Sequence, residues 1–318
     1  MHFILDGDPG HDDMLTIFLA AKYVDVIGVT TVYGNSSLEN TTRNALKCLE
    51  LGGLQHIPVA AGLSRPFVGE PTYPVEIHGE SGLDGAELPD PTIGTVSTHA
   101  VDFIIEASKE YDDLVIVATA ALTNVAAAII KDPTITGRLK YISIMGGSTT
   151  GGNQTPAAEL NIWLDPEAAD VVFTSGVPLK MFGLNVTRQA SATRDEIDRI
   201  RGIGTPFART VADLVEFYRA SLENVFGLAG ASLHDPLAVA VFIKPELFEL
   251  KPMHVEVELH GTRTRGMTVC DNRHATRTGA DIGGGNPLKR GKKPNCEVAV
   301  AMDVPGFFDL LNEALAQY

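Results

Sequence analysis

The stretch HFILDGDPGHDDMLTIFLAA, residues 2–21, decides the fold class because it sets the first strand, turn and helix of the chain. FIL is an apolar run typical of a buried strand, and DDMLTIFLAA has the pattern of a helix. Asp6 to Gly10 lie between them around a Pro-Gly pair, which is a strong turn signal. The stretch therefore predicts a strand, a tight turn and a helix.

The same alternation continues along the chain. The strand-like runs are HFILD, VDVIGVTTVYG, IPVAAG, LVIVAT, KYISIMGG and PLKMFG, with helical segments such as SLENTTRNALKCLELGG between them. Nearly continuous apolar strands that alternate with helices predict a mainly parallel sheet covered on both faces, a doubly wound, Rossmann-like α/β fold. Beyond about residue 190 we expect two helical stretches, then three added strands and a closing helix. We see no repeat and no clear linker, which favours a single domain over residues 1–318.

The composition suits a soluble enzyme with a neutral or cationic ligand but does not identify the ligand. Of 318 residues 44% are hydrophobic, and 25 Lys and Arg oppose 40 Asp and Glu, for a formal charge of -15. Because this charge repels phosphate backbones and anionic lipids, we expect no nucleic-acid or membrane partner. Three scattered cysteines, the absence of an apolar run near the roughly 20 residues that span a bilayer, and a strand starting directly after Met1 predict a cytoplasmic protein.

In doubly wound sheets, functional residues gather beyond the carboxyl ends of the strands. The segments at those ends are Asp6 to Asp13, Tyr33 to Asn35, Thr119 to Asn124 and Met145 to Asn161. Two long polar loops, residues 63–96 and 271–294, interrupt the pattern, and loops of this length are functional or flexible. The second contains GADIGGGNPLKRGKK, which lacks the order of a phosphate-binding loop, so we interpret it as a surface connection.

Four aspartates lie within residues 5–13, in the sequence LDGDPGHDD. Helix capping explains one aspartate in a first turn, because its carboxylate accepts backbone N–H bonds and complements the helix dipole. Capping does not explain four. Carboxylates are the ligands that Ca²⁺ and Mg²⁺ prefer, and no His/Cys cluster suggests zinc, so the stretch predicts a hard divalent cation.

Two other segments are weaker candidates. His234 and Asp235 precede an apolar helix in SLHDP, where Asp-Pro is common for capping reasons alone. Glu159 and Asn161 are two apart in AAELNIWLDPEAAD, and in an extended segment their side chains would point the same way and could bind vicinal hydroxyls. Taken alone, each segment is equally consistent with a structural role.

The motifs together resemble a known family. DGDPGHDD, VYGN, HGESG, LTN, MGG, GNQTPAAELNIWLDPEAA and HDP occur in this order over nearly the whole chain. In identity and order they are similar to the motifs of the inosine–uridine-preferring nucleoside hydrolase family. The resemblance implies calcium-dependent hydrolysis of the N-glycosidic bond of a small-molecule nucleoside, which gives ribose and a free base.

The resemblance assigns the chemistry to particular residues. It implies that Ca²⁺ is held by Asp8, Asp13, Asp235 and the Thr123 carbonyl, and that the ion also binds two ribose hydroxyls and a water. Asp12 matches the base that takes a proton from this water, which then attacks the anomeric carbon. An oxocarbenium-like transition state is stabilised by nearby carboxylates, which agrees with this assignment.

The resemblance also assigns the substrate contacts. Ribose-binding positions, and positions near the sugar and water, match Asn153, Glu159, Asn161, Asn35 and Met145. His234 matches the acid that assists departure of the base, and His78 matches a histidine near the base. The resemblance further implies a homo-oligomer, either a tetramer or a dimer.

The chain departs from the family where the base binds. It has TAALTN where family members often carry Gly-Pro or Gly-Gly before LTN, and Leu160 where an aromatic residue can occur. It has no clear tyrosine before HDP, since Tyr218 lies about four helical turns upstream. We interpret Trp163 as a packing residue, which gives little support to tryptophan stacking on a purine. The base preference is therefore left open.

Two alternatives remain at this point. In a Mg²⁺-dependent phosphatase of the haloacid-dehalogenase type, Asp6 and Asp8 would form the DxD turn, although Asp12 and Asp13 would have no role. The other alternative is a calcium- or nucleoside-binding relative without turnover, and the presence of every carried-over catalytic position argues against it.

Overall fold

The computed structural model describes residues 1–273 and 292–318, so most of the predicted loop 271–294 lies outside the described residues. The strands are β1 (His2–Gly7), β2 (Asp25–Thr31), β3 (Val59–Ala61), β4 (Leu114–Ala118), β5 (Tyr141–Met145), β6 (Leu179–Phe182), β7 (Ser191–Ala192), β8 (Ala231–Ser232), β9 (Phe248–Val257), β10 (Thr268–Asp271) and β11 (Cys296–Met302). The helices are α1 (His11–Tyr23), α2 (Leu38–Leu51), α3 (Val75–His78), α4 (Ala100–Glu110), α5 (Thr123–Lys131), α6 (Leu160–Leu164), α7 (Pro166–Thr174), α8 (Leu184–Thr187), α9 (Arg194–Gly202), α10 (Pro206–Phe226), α11 (Leu237–Ile243) and α12 (Val304–Leu315).

Within the described residues, the main sheet has nine strands in the order β10-β9-β11-β6-β5-β4-β1-β2-β3. Pairings from β3 through β1 to β6 and β11 are parallel, whereas β9 and β10 are added antiparallel. The predicted doubly wound α/β fold with extra C-terminal strands is confirmed. Strand order reverses between β1 and β4, and a crevice opens at such a reversal in doubly wound folds.

Both faces of the sheet are covered by helices, as the apolar strands predict. Leu5 of β1 and Val117 of β4 belong to one buried cluster, packed with α1, α2, α10, α11 and α12. Their neighbours Ile4 and Ile116 belong to a second cluster, packed with α4, α5 and α7. Successive residues of a strand point to opposite faces, so strands buried on both sides need an apolar residue at every position.

The first strand and helix form as the opening stretch predicts. Asp6, the last residue but one of β1, lies opposite Thr30 of β2 and Ala118 of β4, at the point where the strand order reverses. Gly10 caps α1 in an extended conformation, and Asp12 and Asp13 occupy the first turn. The four aspartates therefore surround the carboxyl end of β1.

Three segments differ in detail from the sequence prediction. Asn161 is helical rather than extended, because α6 begins at Leu160 and the Glu159 carboxylate caps it by accepting the N–H groups of Asn161 and Ile162. β9 begins at Phe248 and ends at Val257, so it starts earlier than the predicted run MHVEVELHG. The loop 63–96 contains the short helix α3.

No helix among the described residues combines the length and apolar character that crossing a bilayer requires.

Candidate active site

A cleft lies at the carboxyl ends of β1, β4 and β5, next to the reversal of strand order. The predicted site residues that line it are Asp12, Asn35, His78, Met145, Asn153, Glu159, Asn161, His234 and Asp235. The structure thus brings together side chains from both ends of the chain. Asp8 and Asp13 are buried and lie against the lining residues Asn35 and Thr119, whereas Thr123 is buried and lies outside the cleft lining.

Three buried carboxylates form the centre of the site. One oxygen from each of Asp12, Asp13 and Asp235 lies within 4.8 Å of the others, and each side chain is almost fully buried. Asp8 is equally buried, and its charge acts on Asp235. Like charges so close together in a buried site are unstable unless protons or a cation offset them.

Neutral donors hold Asp8 and Asp13 in place. Asp8 accepts the backbone N–H of Asn35 at 2.6 Å, and the Asn35 amide also reaches both carboxylates at 3.3 Å. Asp13 accepts the Thr119 hydroxyl at 2.7 Å and the Gly10 N–H at 3.2 Å. These bonds orient the two carboxylates without neutralising them.

Burial and mutual repulsion raise the pKa values of these acidic residues. Burial, followed by the charge of Asp13, raises the pKa of Asp12 to about 7. Burial also raises the pKa of Asp8 and Asp235 well above the usual range, with the charges of Asp13 and Asp12, respectively, adding to the effect. A cation bound among these carboxylates would favour their ionised forms.

The donor set can hold a metal ion. The cluster offers carboxylate oxygens only, which suits a hard cation rather than zinc or copper. The Thr123 side chain is occupied elsewhere, because its hydroxyl donates to Asp165 at 2.8 Å. A contribution from Thr123 would therefore come from its carbonyl, as the resemblance implies.

Glu159 and Asn161 also line the cleft. Glu159 accepts backbone N–H groups from Gly147, Asn161 and Ile162 at 2.9–3.2 Å, while burial raises its pKa to about 7. The Asn161 amide donates to the carbonyls of Thr119 and Met145 at 3.0 and 3.1 Å. The amide oxygen of Asn161 and the acceptor face of Glu159 are oriented by these bonds, as a sugar-binding wall requires.

Asn153 and Leu160 extend this wall. The Asn153 side-chain oxygen accepts the Leu160 N–H at 2.9 Å, which ties the loop after β5 to the start of α6. Both residues line the cleft. Leu160 therefore gives an apolar surface where relatives can have an aromatic ring.

His234 is held at two points. Its backbone N–H donates to Asp12 at 3.3 Å, and its ring Nδ1 lies 2.7 Å from the Thr187 hydroxyl. Burial, with the charge of Arg188 acting in the same direction, lowers the pKa of His234 to about 4. The imidazole is therefore neutral near pH 7 and lies between the cleft and an adjoining chamber.

His78 belongs to a stack of rings that the sequence did not predict. The Tyr218 ring stacks on His78 at 5.2 Å and on His11 at 5.3 Å between ring centroids. His11 Nδ1 lies 3.1 Å from His78 Nδ1, and His11 Nε2 donates to the Asp84 carbonyl at 2.7 Å. The stack fixes the His78 ring at the cleft wall.

Tyr218 itself lines the cleft, so its distance in sequence from HDP was misleading. α10 ends at Phe226 and the chain returns through β8, which brings residue 234 back beside residue 218. Tyr218, Leu222 and Phe226 form one stripe on α10, at a spacing of four residues that places side chains on one helix face. This four-residue spacing is the sequence signal that could have identified Tyr218 as part of the cleft wall.

Asp6 is the fourth aspartate of the opening stretch and supports the site through buried hydrogen bonds. It is fully buried and accepts the Thr30 hydroxyl at 2.6 Å and the Asn124 amide at 2.9 Å, while its Oδ2 has no partner among the described residues. Asn124 also donates to the Thr31 carbonyl. Asp6 thus joins β1, β2 and the start of α5.

Trp163 packs beside Val32, Tyr33 and Leu164 in a small apolar cluster, which agrees with its interpretation as a packing residue.

Comparisons of sequence give one consistent result. The profile of the family described as "Inosine-uridine preferring nucleoside hydrolase" matches residues 3–309. The chain is 41% identical to the pyrimidine-specific ribonucleoside hydrolase RihA of Enterobacter sp. (strain 638), over 99% of this chain and 97% of the relative. It is also 41% identical to the RihA protein of Escherichia coli O157:H7, over 99% and 98% of the two chains.

Solved structures with similar folds have related descriptions. A purine-preferring ribonucleoside hydrolase from Gardnerella vaginalis superposes with a TM-score of 0.90 at 36% identity, over 100% of this chain and 98% of that one. The plant nucleoside hydrolase PpNRh1 gives 0.90 at 32% identity, over 100% and 99%.

Proposed function

Since the chain belongs to the inosine-uridine preferring nucleoside hydrolase family and is a nucleoside hydrolase, we propose that it carries out calcium-dependent hydrolysis of ribonucleosides to ribose and a free base. The observation that carries this proposal is the cluster of Asp12, Asp13 and Asp235 at a cleft that Glu159 and Asn161 also line. Carboxylates stabilise the positive charge that develops on a sugar as its glycosidic bond breaks.

Asp8, Asp13, Asp235 and the Thr123 carbonyl would hold the calcium ion. When bound, the ion would offset the carboxylate charges and act as a Lewis acid toward water and sugar hydroxyls. The chemistry of the donors supports calcium or magnesium, and the family resemblance favours calcium.

Asp12 is the general base in this proposal. Its carboxylate is held on one side by the His234 N–H at 3.3 Å and lines the open cleft, where it can accept a proton from a water aimed at the anomeric carbon. Glu159, Asn161 and Asn153 orient the ribose, and Asn35 and Met145 lie beside the sugar and the water. Water oxygen bonds to carbon as the bond from carbon to the base nitrogen breaks.

The departing base gains electron density and needs a hydrogen-bond donor. His234 lines the cleft as a neutral imidazole, which can donate a hydrogen bond to the base. His78 and Tyr218 form the wall beside it and would contact the base face. Together these residues would stabilise the leaving group without a tryptophan.

We further propose a preference for pyrimidine nucleosides. The support is the 41% identity to pyrimidine-specific relatives over 99% of the chain, which exceeds the 36% identity to the purine-preferring enzyme. Leu160 and Phe226 provide apolar surface at the cleft, whereas Trp163 packs elsewhere.

A panel of uridine, cytidine, inosine, adenosine and guanosine tests both proposals. We expect ribose release to be fastest from uridine or cytidine, to stop when EGTA removes calcium, and to return when calcium is restored. Faster release from a purine nucleoside would contradict the base preference, and absence of ribose from every nucleoside with calcium present would contradict the hydrolase proposal.

Because the chain belongs to the nucleoside hydrolase family, we no longer propose the haloacid-dehalogenase-type phosphatase alternative. The nucleoside panel also tests the non-catalytic alternative. We also propose that residues 1–318 form one domain, that the chain assembles as a homotetramer or homodimer, and that it acts in the cytoplasm. Light scattering after size-exclusion chromatography measures the assembly directly.

A further inference from the structure

We propose that Thr187 is a positioning residue that fixes the tautomer of His234, so that Nε2 carries the proton that faces the cleft. The inference rests on the proposed role of His234 in base departure and adds a residue to it. Thr187 does not line the cleft, and it would act only through the histidine.

The contact between the two residues is short and partly buried. Thr187 is the last residue of α8 and is fully buried, and its hydroxyl lies 2.7 Å from His234 Nδ1. Within the described residues this is the hydroxyl's only hydrogen bond.

The direction of this hydrogen bond follows because the buried hydroxyl hydrogen of Thr187 needs an acceptor. If Nδ1 carried a proton and donated it, the Thr187 hydroxyl hydrogen would be buried with no acceptor in the described part of the chain, which is costly. The hydroxyl therefore donates and Nδ1 accepts. A ring with a bare Nδ1 carries its hydrogen on Nε2.

The other ring nitrogen is free to meet a substrate. His234 lines both the cleft and the adjoining chamber, and its Nε2 has no partner in the described part of the chain. The His234 backbone N–H is fixed to Asp12 at 3.3 Å, so the hydroxyl on one side and the carboxylate on the other set the ring's position. Thr187 thus keeps a donor aimed at the leaving base.

Kinetics with two leaving groups test this role. Thr187→Val removes the hydroxyl at nearly constant shape, and Thr187→Ser retains it. We expect Thr187→Val to lower kcat for uridine by about tenfold, the effect of losing one positioned hydrogen bond, with KM little changed. For 4-nitrophenyl riboside, whose leaving group needs no donor, kcat should change by less than about twofold, and Thr187→Ser should resemble the wild type.

His234→Ala is the reference variant, because its loss should show the same dependence on the leaving group. Equal losses on both substrates in Thr187→Val, or a wild-type value for uridine, would overturn the inference. Thermal unfolding of each variant checks the fold, and Thr187→Ala replaces Thr187→Val if the latter does not fold.

A measurement without turnover separates this inference from the proposed function. In ¹⁵N-labelled wild-type protein, the His234 ring should show a protonated Nε2 and a bare Nδ1, and Thr187→Val should shift or broaden the Nδ1 resonance. A proton on Nδ1 in the wild type would overturn the inference even if the enzyme hydrolyses nucleosides. Absence of ribose from the nucleoside panel would instead contradict the proposed function.

Discussion

Asp12 and Asp13 are neighbours in sequence, yet their surroundings differ. Asp13 accepts hydrogen bonds from Thr119, Gly10 and Asn35, whereas Asp12 accepts the His234 N–H at 3.3 Å and lines the cleft. A carboxylate held by several donors and set back from the cleft suits a fixed ligand, and one that lines the cleft can accept a proton from water there. This difference supports a metal-binding role for Asp13 and a base role for Asp12.

Asp12→Asn tests this division of roles. Because asparagine cannot accept a proton from water, we expect kcat for uridine to fall by on the order of 10²- to 10⁴-fold. Calcium bound per chain, measured by titration calorimetry, should stay near the wild-type value.

Asp13→Asn is the matched control, since it should weaken calcium binding together with activity. Loss of calcium from Asp12→Asn as well would make Asp12 a ligand, as its place among the three close carboxylates allows.

Residue 34 is a glycine, and the Asp8 carboxylate occupies the space that a side chain there would need. A Cβ at residue 34 would overlap with Asp8 Oδ2. We expect Gly34→Ala to displace this carboxylate and weaken calcium binding by about 10- to 100-fold, as changes to the groups that orient a metal ligand do. The measurement is a calcium titration followed by thermal unfolding without the metal.

Gly137→Ala is the control for that experiment, because a Cβ at residue 137 meets no atom within 4 Å. Unchanged calcium affinity in Gly34→Ala would show that Asp8 is not a ligand.

At the scale of elements, the strands and the first helix followed from the sequence, while the start of α6 did not. Buried parallel strands need apolar residues throughout, and this pattern is local and easy to detect. Glu159 caps α6 with its own side chain, and a Glu before an apolar run is a weak helix signal. The wall of the cleft was therefore identified by residue but not by conformation.

An ion pair joins α7 to the connection between β9 and β10. Arg265 donates two hydrogen bonds of 2.8 Å to the Glu167 carboxylate, and this contact lowers the pKa of Glu167. A carboxylate with a lowered folded pKa adds stability above its unfolded pKa, and this contribution is lost as pH falls through the folded value.

Glu167→Gln should therefore lower the free energy of unfolding at pH 7 by up to about 1 kcal/mol, since the pair is partly exposed. The difference from the wild type should shrink below pH 4.5 and vanish when Glu167 is protonated in both states. Urea unfolding at pH 7 and pH 3 measures it. Glu246→Gln is the control, because that exposed carboxylate makes no ion pair within the described chain; a difference that does not depend on pH would contradict the prediction.

At the scale of the whole molecule, the sequence predicted which strand ends form the site, because parallel strands bring their carboxyl ends to one edge. The motifs then predicted which individual residues at those strand ends belong to the site. Tyr218, His11 and Thr187 were missed, since their contacts depend on how α10 and α8 pack against segments distant in sequence. Such contacts have no local signature in a single sequence.

The bond between Asp12 and the His234 N–H spans 222 positions of the chain. During synthesis the N-terminal aspartates leave the ribosome long before Asp235 is added. The carboxylate cluster is therefore complete only when the chain has reached residue 235. A cation that requires both ends can bind only after the chain is nearly complete, and its binding free energy adds to the finished fold and not to partial ones. Calcium binding would therefore stabilise full-length chains but not truncated ones.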